Sequence, residues 1–428
     1  MTRSLRVLVV LPLYGGSLPI GRYCRRALAG LGHVAETFEA PEFHGAFTAL
    51  KGLRVTTERL EHLEHAFLQV VAQAVLAKVE TFRPDLVLAM AQAPLSRQTL
   101  KRLRQMSIPS VMWFVEDHRL FTYWEGYARH YDAFAVIQKG DFPEKLARAG
   151  QHNSLYLPLA ADPEFHRPLE LDAAQRRLFG ADVSFLGAGY PNRRAAFREL
   201  LPFGLKIWGS DWDGDDQLAL AVQRGGARVS PEDAVKVFNA TRVNLNLHSS
   251  VSGRELVSAG DFVNPRTFEL AMCGAFQLVD RRGLLPELFA DDELATFGSM
   301  EELRAQLRRF LDDPAAREDY AKKARARALA DHTYAARMRA LLEFLENRLD
   351  GWPSREQGPD ALAAVPEDYR ERTRTLLAEL GLTPEAPFDD LVWALRSRAG
   401  SLTPVETAIL FLDEWRKQYG VRPQDPGA

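Results

Sequence analysis

Two doubly wound α/β domains in series, closed by a helical extension, are the fold class this sequence predicts, and three observations carry the prediction. Apolar runs of strand length alternate with amphipathic stretches of helix length from residue 5 to about residue 349. Such alternation builds parallel sheets with helices on both faces, because each parallel connection needs a crossover. A segment with three prolines and no periodicity, LPLAADPEFHRP at 157–168, divides the series in two. Beyond the glycine and proline breakers at 349–358 the strand pattern stops, and only helical patterning remains. The implied domains are 1–160, 161–350 and a helical extension at 359–428.

The first half opens with a buried strand at 5–11, a Gly15-Gly16 turn, a helix from about 19 to 31 and a strand at 33–38. Residues 41–52 read as an irregular loop. A long helix at 56–82 carries Leu60, Leu63, Phe67, Val70, Val71 and Val75 near helical spacing. Strands at 85–90, 110–114, 133–137 and 154–156 then alternate with helices at 96–106, 120–130 and 142–149. The second half places strands at 183–186, 206–208, 243–247, 275–279 and 294–297, with helices between them. Ser299 and Glu302 spell a capping box, Asp313-Pro314 starts the next helix, and Thr333 caps one running to about 349.

Length and composition narrow the function. A chain of 428 residues, 46% hydrophobic and 26% charged, belongs with globular proteins of two or three domains. A net charge of −3 without blocks of like charge argues against nucleic acid as a partner. Cys24 and Cys273 are too few for a disulfide framework and lack metal-ligand spacing. The apolar start is short and ends in Gly15-Gly16 rather than in a cleavage site. No stretch approaches the ~18 apolar residues of a transmembrane segment. The expected location is cytoplasmic, with peripheral membrane contact left open.

The string DFVNPRTFELAMCGAFQLVD, residues 261–280, is the most informative in the chain. Asn264-Pro265 is a cap and first-turn pair, helix formers run to Cys273, and Gly274 stands where a helix end favours a left-handed residue. Asn264, Arg266, Thr267 and Glu269 crowd the helix N-terminus, whose partial positive charge and unpaired N–H groups suit a phosphate. Arg266 can grip a diphosphate by a bidentate fork. Glu269, one turn inside, can accept from two sugar hydroxyls. A core helix with a surface Arg–Glu pair is the competing reading. Three polar residues beside a glycine stop exceed what packing needs.

Glu269, Cys273 and Gly274 reproduce the pattern E-x-x-x-C-G, and the string N-P-R-T-F-E…C-G…Q-L-V-D resembles glycosyltransferases of the GT-B architecture. Within them it is similar to the spore-maturation-protein-B-like branch of glycosyl transferases group 1. The resemblance covers roughly residues 183–334; the first half matches in layout only. It implies two Rossmann-like domains facing a cleft, a nucleotide-diphosphate-sugar donor that is UDP-linked, and no cofactor or metal. It implies that Glu269 holds the nucleotide ribose. Retaining members carry an acid eight positions earlier, here Asp261, an aspartate where glutamate is usual.

Other constellations fall at strand ends. Gly187-Ala188-Gly189 with Asn192, Arg193 and Arg194 follows a strand and opens a helix, the turn that faces the donor diphosphate in GT-B enzymes; a plain βα turn with solvated arginines is the alternative. Gly15 and Gly16 either admit an acceptor or make a tight turn. Glu116, Asp117 and His118 end a strand, where doubly wound sheets bind ligands. Asp117 and His118 are the candidates for the base that an inverting transfer requires; a solvated loop with a cap is the alternative. His248, before Ser249 and Ser250, either bonds a donor phosphate or sugar hydroxyl or is a buried structural histidine. Arg254 and Glu255 lie in a loop next to that site. Trp208 and Trp212 stack on a ligand or pack. Asp211, Asp213, Asp215 and Asp216 make a loose calcium-like loop that lacks the glycine and distal glutamate at proper spacing. Asp211-Trp212-Asp213 is a three-residue D-x-D match in a half that needs no metal.

The expected function is transfer of a sugar from a nucleotide-diphosphate donor to an acceptor hydroxyl in glycan biosynthesis, with Asp117, His118 and Asp261 in the chemistry. A nucleotide-sugar epimerase on the same fold, and a catalytically inactive nucleotide-sugar-binding partner, are the rival readings. The acceptor class (glycan, lipid, protein or small molecule) and the stereochemistry stay open. The C-terminal helices are expected to pack on the body or to pair two copies.

Overall fold

The computed structural model describes residues 4–253, 255–257, 260–353, 367–384, 386–398 and 400–419. The first half forms a parallel sheet of β1 (Arg6–Val10), β2 (Val34–Phe38), β3 (Leu86–Met90), β4 (Ser110–Phe114), β5 (Ala133–Val136) and β6 (Ser154–Tyr156). Its order is β2-β1-β3-β4-β5-β6. The second half forms a parallel sheet of β7 (Ala181–Leu186), β8 (Leu205–Trp208), β9 (Thr241–Asn246), β10 (Gln277–Asp280) and β11 (Ala295–Phe297), in the order β11-β10-β9-β7-β8. Both sheets therefore wind outward from their first strand, which separates the second strand from the third. The crevices fall between β1 and β3 and between β7 and β9, outside the carboxyl ends of the strands. The turns after β1 and β7 contain Gly15-Gly16 and Gly187-Ala188-Gly189, so the topology brings both glycine turns to switch points.

Burial on both faces explains the strand sequences. All five residues of β1, RVLVV, are buried, as are those of β3 and β4, the near-continuous apolar pattern of covered parallel strands. In β9 two asparagines interrupt the pattern, and both are satisfied. Asn244 donates to the carbonyls of Phe238 and Phe276, and Asn246 donates to Thr267 and Gln277.

Several local expectations are revised. Residues 41–52 are not irregular: a 3-10 turn, Ala40–Phe43, leads into a helix, His44–Lys51, whose Phe47 packs on Phe67 of the long helix Thr57–Phe82. The helix expected over 120–130 is a single turn, Trp124–Tyr127, followed by a 3-10 turn, Ala128–His130. A helix at Ala173–Phe179, absent from the sequence reading, is opened by a complete capping box between Asp172 and Gln175. The Ser299 cap forms, but Glu302 reaches the Gly298 N–H rather than that of Ser299.

The chain crosses between the halves twice, at 157–168 and at 331–334. The crossings pair with one another through an Ala161–Thr333 bridge. The helix Tyr334–Arg348 packs back on the first domain's opening helix, Ser17–Gly30, and Trp352 donates to the Asp85 carbonyl. The extension forms Glu367–Glu379, Phe388–Ser397 and Pro404–Tyr419. Its middle helix docks at the amino ends of the first sheet, opposite the cleft. There Asp390 pairs with Arg6, and Trp393 packs on Phe82 and donates to Glu36. Among the described residues no helix is long and apolar enough to cross a membrane.

Candidate active site at the domain cleft

A cavity of about 790 Å³ opens between the two halves. The first domain contributes Tyr14, Gly15, Gly16, Arg22, Tyr23, Arg26 and His44 to its wall, and the linker contributes Phe165 and His166. The second domain contributes Gly187, Ala188, Gly209, Ser210, Arg228, Glu232, Arg266 and Glu269. Gly15 and Gly16 thus face Gly187, Arg266 and Glu269 across one space.

The helix Pro265–Met272 sets the second wall. Asn264 caps it through its side-chain oxygen, which accepts the Thr267 N–H at 3.1 Å, and Gly274 takes a left-handed φ of 65° just past its end. Glu269 accepts from Arg266 at 2.7 Å through one oxygen; its other oxygen lies 3.8 Å from His166 Nε2. The Arg266 guanidinium rests over the Phe238 ring, and its Nε is buried without an acceptor among the described residues. A cation and an anion therefore stand side by side over a helix N-terminus in the cavity wall, the pairing that a diphosphate and a ribose require.

Asn264, Thr267 and His248 serve that helix rather than facing the cavity. Thr267 is fully buried and bonded to Asn264 and Asn246. His248 is 1% exposed. Its Nε2 accepts the Asn264 N–H at 2.8 Å, and its Nδ1 lies 2.6 Å from Asp280 Oδ1. An accepting Nε2 assigns the ring proton to Nδ1, directed at Asp280. Burial pushes the imidazole below its ordinary value, against the pull of Asp280. Of the two readings of His248, the geometry selects the structural one: Asp280, His248 and Asn264 form a buried line that sets the start of the helix.

The Gly187 turn is built by its neighbours. Gly187 N–H donates to the Trp208 carbonyl and Gly189 N–H to that of Ser210, so the loops after β7 and β8 run side by side. A Cβ on Gly189 would collide with the Asp211 carbonyl. Arg193, expected at the diphosphate, is 9% exposed and donates to the Leu247 carbonyl through Nε and Nη2 and to the Ala188 carbonyl through Nη1. Burial pushes its pKa down to about 10. Asn192 spans the His248 and Leu256 carbonyls and the Ser250 N–H. Both residues brace the turn instead of reaching the cavity. Trp208 and Trp212 are buried, and Trp212 stacks on Phe197 and donates to the Gly187 carbonyl. Asp215 is engaged by Arg198.

Asp117, His118 and Asp261 come together, but outside the cavity wall. His118 is 4% exposed and stacked on Phe142, with ring centroids 4.3 Å apart. Its Nδ1 lies 3.0 Å from Gln138 Oε1. The Gln138 amide donates to Asp117 and Asp261 at 3.4 Å each, and Asp261 also accepts the Lys139 N–H at 3.0 Å. These residues tie the second domain to the ends of β4 and β5. Asp117, His118 and Asp261, expected at the acceptor and the transferred sugar, are thus not among the residues of this cavity's wall. Arg254 lies outside the described residues; Glu255 is exposed.

Sequence reading missed Tyr23, Arg26, His44 and His166, which all line the cavity. They carry no local motif. Tyr23 and Arg26 are three apart in the helix after the glycine turn, and that spacing was the available signal. His166 lies in a linker read only as a boundary.

Two parallel sheets of this winding, facing one another across a cleft, make the GT-B arrangement. Residues 191–343 match the model of a family described as glycosyl transferase-like, and the two parallel sheets are those of the GT-B fold. Spore protein CgeB of Bacillus subtilis (strain 168) is 24% identical over 269 residues, spanning 60% of this chain and 81% of that protein. Among solved structures, the sucrose-phosphate synthase of Thermosynechococcus elongatus aligns with a TM-score of 0.53 at 15% identity, covering 81% of this chain and 100% of that one. Anabaena Alr3699/HepE in complex with UDP and glucose aligns with a TM-score of 0.54 at 13% identity, covering 80% and 100%. Trehalose-6-phosphate synthase OtsA gives 0.56 at 11%, covering 80% and 99%. At these identities the structures establish the shared fold.

Proposed function

We propose that this chain is a cytoplasmic glycosyltransferase that moves a sugar from a UDP-linked donor to an acceptor hydroxyl without a metal. The observation that carries the reading is the placement of Arg266 and Glu269 in the cavity wall, over a capped helix N-terminus and opposite the Gly15-Gly16 turn. Glu269 accepts from the ribose hydroxyls. Arg266 and the helix end take up the negative charge that develops on the diphosphate as the glycosidic bond breaks, the role a metal plays elsewhere. The turn at Gly15 and Gly16 leaves room for the acceptor. That HepE has been solved with UDP and glucose supports UDP as the first nucleotide to test.

Thermal unfolding with UDP tests the donor site. Nucleotide at about a hundred times its dissociation constant adds roughly 2.7 kcal/mol and raises the midpoint by a few degrees. We expect the shift with wild type and its loss in Glu269→Ala. A shift that survives Glu269→Ala removes the ribose role. Conversion of a UDP-sugar to free UDP and the 2-epimer without acceptor replaces transfer by epimerisation.

A further inference from the structure

We infer that His166, in the interdomain linker, is a positioning residue for Glu269, and that it is held in place from the first domain through Asp162 and Arg26. The inference rests on the reading of Glu269 as the ribose ligand. The chain of contacts starts on the helix Ser17–Gly30, where Arg26 donates through Nε and Nη2 to Asp162 Oδ2 at 2.8 and 2.6 Å. The other Asp162 oxygen accepts the N–H groups of Glu164 and Phe165, and the Asp162 carbonyl accepts that of His166. The turn 162–166 is thereby closed on itself. The Asp162 N–H donates to His166 Nδ1 at 3.1 Å, which assigns the ring proton to Nε2. That N–H faces Glu269 Oε1 at 3.8 Å, a separation that ligand binding can tighten into a hydrogen bond.

The ring has little freedom to do anything else. It is 3% exposed and packed edge-on against Tyr23, 5.1 Å between centroids, and against Phe165. Burial pushes its pKa below the ordinary value against the attraction of Glu269, so the ring is neutral near pH 7. A neutral N–H orients the carboxylate without cancelling its charge. With Arg266 on Oε2 and His166 facing Oε1, both oxygens have a fixed neighbour, and their remaining lone pairs are left for the ligand. Tyr23 and Arg26 also line the cavity, so the support for Glu269 begins in the opposite wall of the cleft.

Calorimetric titration with UDP, GDP and ADP tests this on wild type, His166→Phe, His166→Gln, Glu269→Ala and the His166→Phe/Glu269→Ala double variant. We expect UDP affinity to fall about 10-fold in His166→Phe, the loss of one hydrogen bond to a charged group. It should return to within about 3-fold in His166→Gln, which keeps a donor of similar reach. Glu269→Ala should weaken binding, and the double variant should bind no worse than Glu269→Ala alone. Full UDP affinity in His166→Phe, or losses that add in the double variant, overturns the positioning role. Unchanged affinity in Glu269→Ala, or no nucleotide bound by wild type, overturns the ribose reading itself. His166→Asn, too short to reach Glu269, repeats the test if the phenylalanine variant does not fold.

Discussion

Arg193 and Arg266 show how far a residue's role depends on what the fold places over it. Each stands near the first turn of a helix in the second domain, after a loop suited to phosphate. Arg193 is covered by the end of β9, 54 positions away, and gives its donors to the Leu247 and Ala188 carbonyls. Arg266 keeps a buried Nε without an acceptor among the described residues and lines the cavity. The two arginines should therefore fail differently. Arg193→Ala leaves buried carbonyls unpaired, and we expect urea unfolding to show a loss of about 2–4 kcal/mol. Arg266→Ala should change stability by less than about 1 kcal/mol while transfer falls about 10²-fold, measured as UDP released in the presence of acceptor. The reverse pattern would exchange their roles. Sequence could not separate them, because the discriminating contact to Leu247 is long-range.

The helix Pro265–Met272 was legible as an element because its signals are local. Its Asn264 cap, Pro265 first turn and Gly274 stop all lie within ten residues of one another, and all take the expected conformations. What sequence did not reveal is how its start is fixed from below: the Asn264 N–H meets His248, and the Asn264 amide meets Asn246. Asn264→Ala should cost about 1–2 kcal/mol in urea unfolding, while Asn264→Ser, which restores the cap acceptor, should recover most of it. Equal losses would mean that the Asn246 contact matters more than the cap. The two missed helices failed for different reasons. His44–Lys51 has no side-chain cap and depends on Phe47 packing against Phe67, which only the tertiary structure supplies. Ala173–Phe179 announces itself in Asp172 and Gln175, but the aperiodic linker before it hides the start.

At the scale of the molecule, the two halves and the linker were visible in the alternation of strands and helices, but the way the halves are joined was not. The joint is a pair of chain crossings held by two buried side chains. Arg337 donates to the carbonyls of Pro158 and Leu159 in one crossing and Asp331 in the other, and its Nη2 lies 2.8 Å from His332 Nδ1. His332 Nε2 lies 2.7 Å from the Leu288 carbonyl. A neutral ring satisfies both contacts, accepting from Arg337 at Nδ1 and donating to Leu288 at Nε2. A second proton would have to enter on Nδ1, against a guanidinium and in a buried site. Burial, with Arg337 adding to it, pushes the pKa from 6.5 to about 4. In the unfolded chain the same histidine titrates near 6.5. Between pH 6.5 and 4 the unfolded state thus binds a proton that the folded state refuses. Stability is full above about pH 6.5 and falls as the pH drops towards 4, by up to about 3 kcal/mol from this residue. Urea midpoints at pH 7 and pH 4.5 for wild type and His332→Gln provide the check. Wild type should lose about 2 kcal/mol more than the variant over that interval, and equal losses would show that His332 stays protonatable in the folded joint.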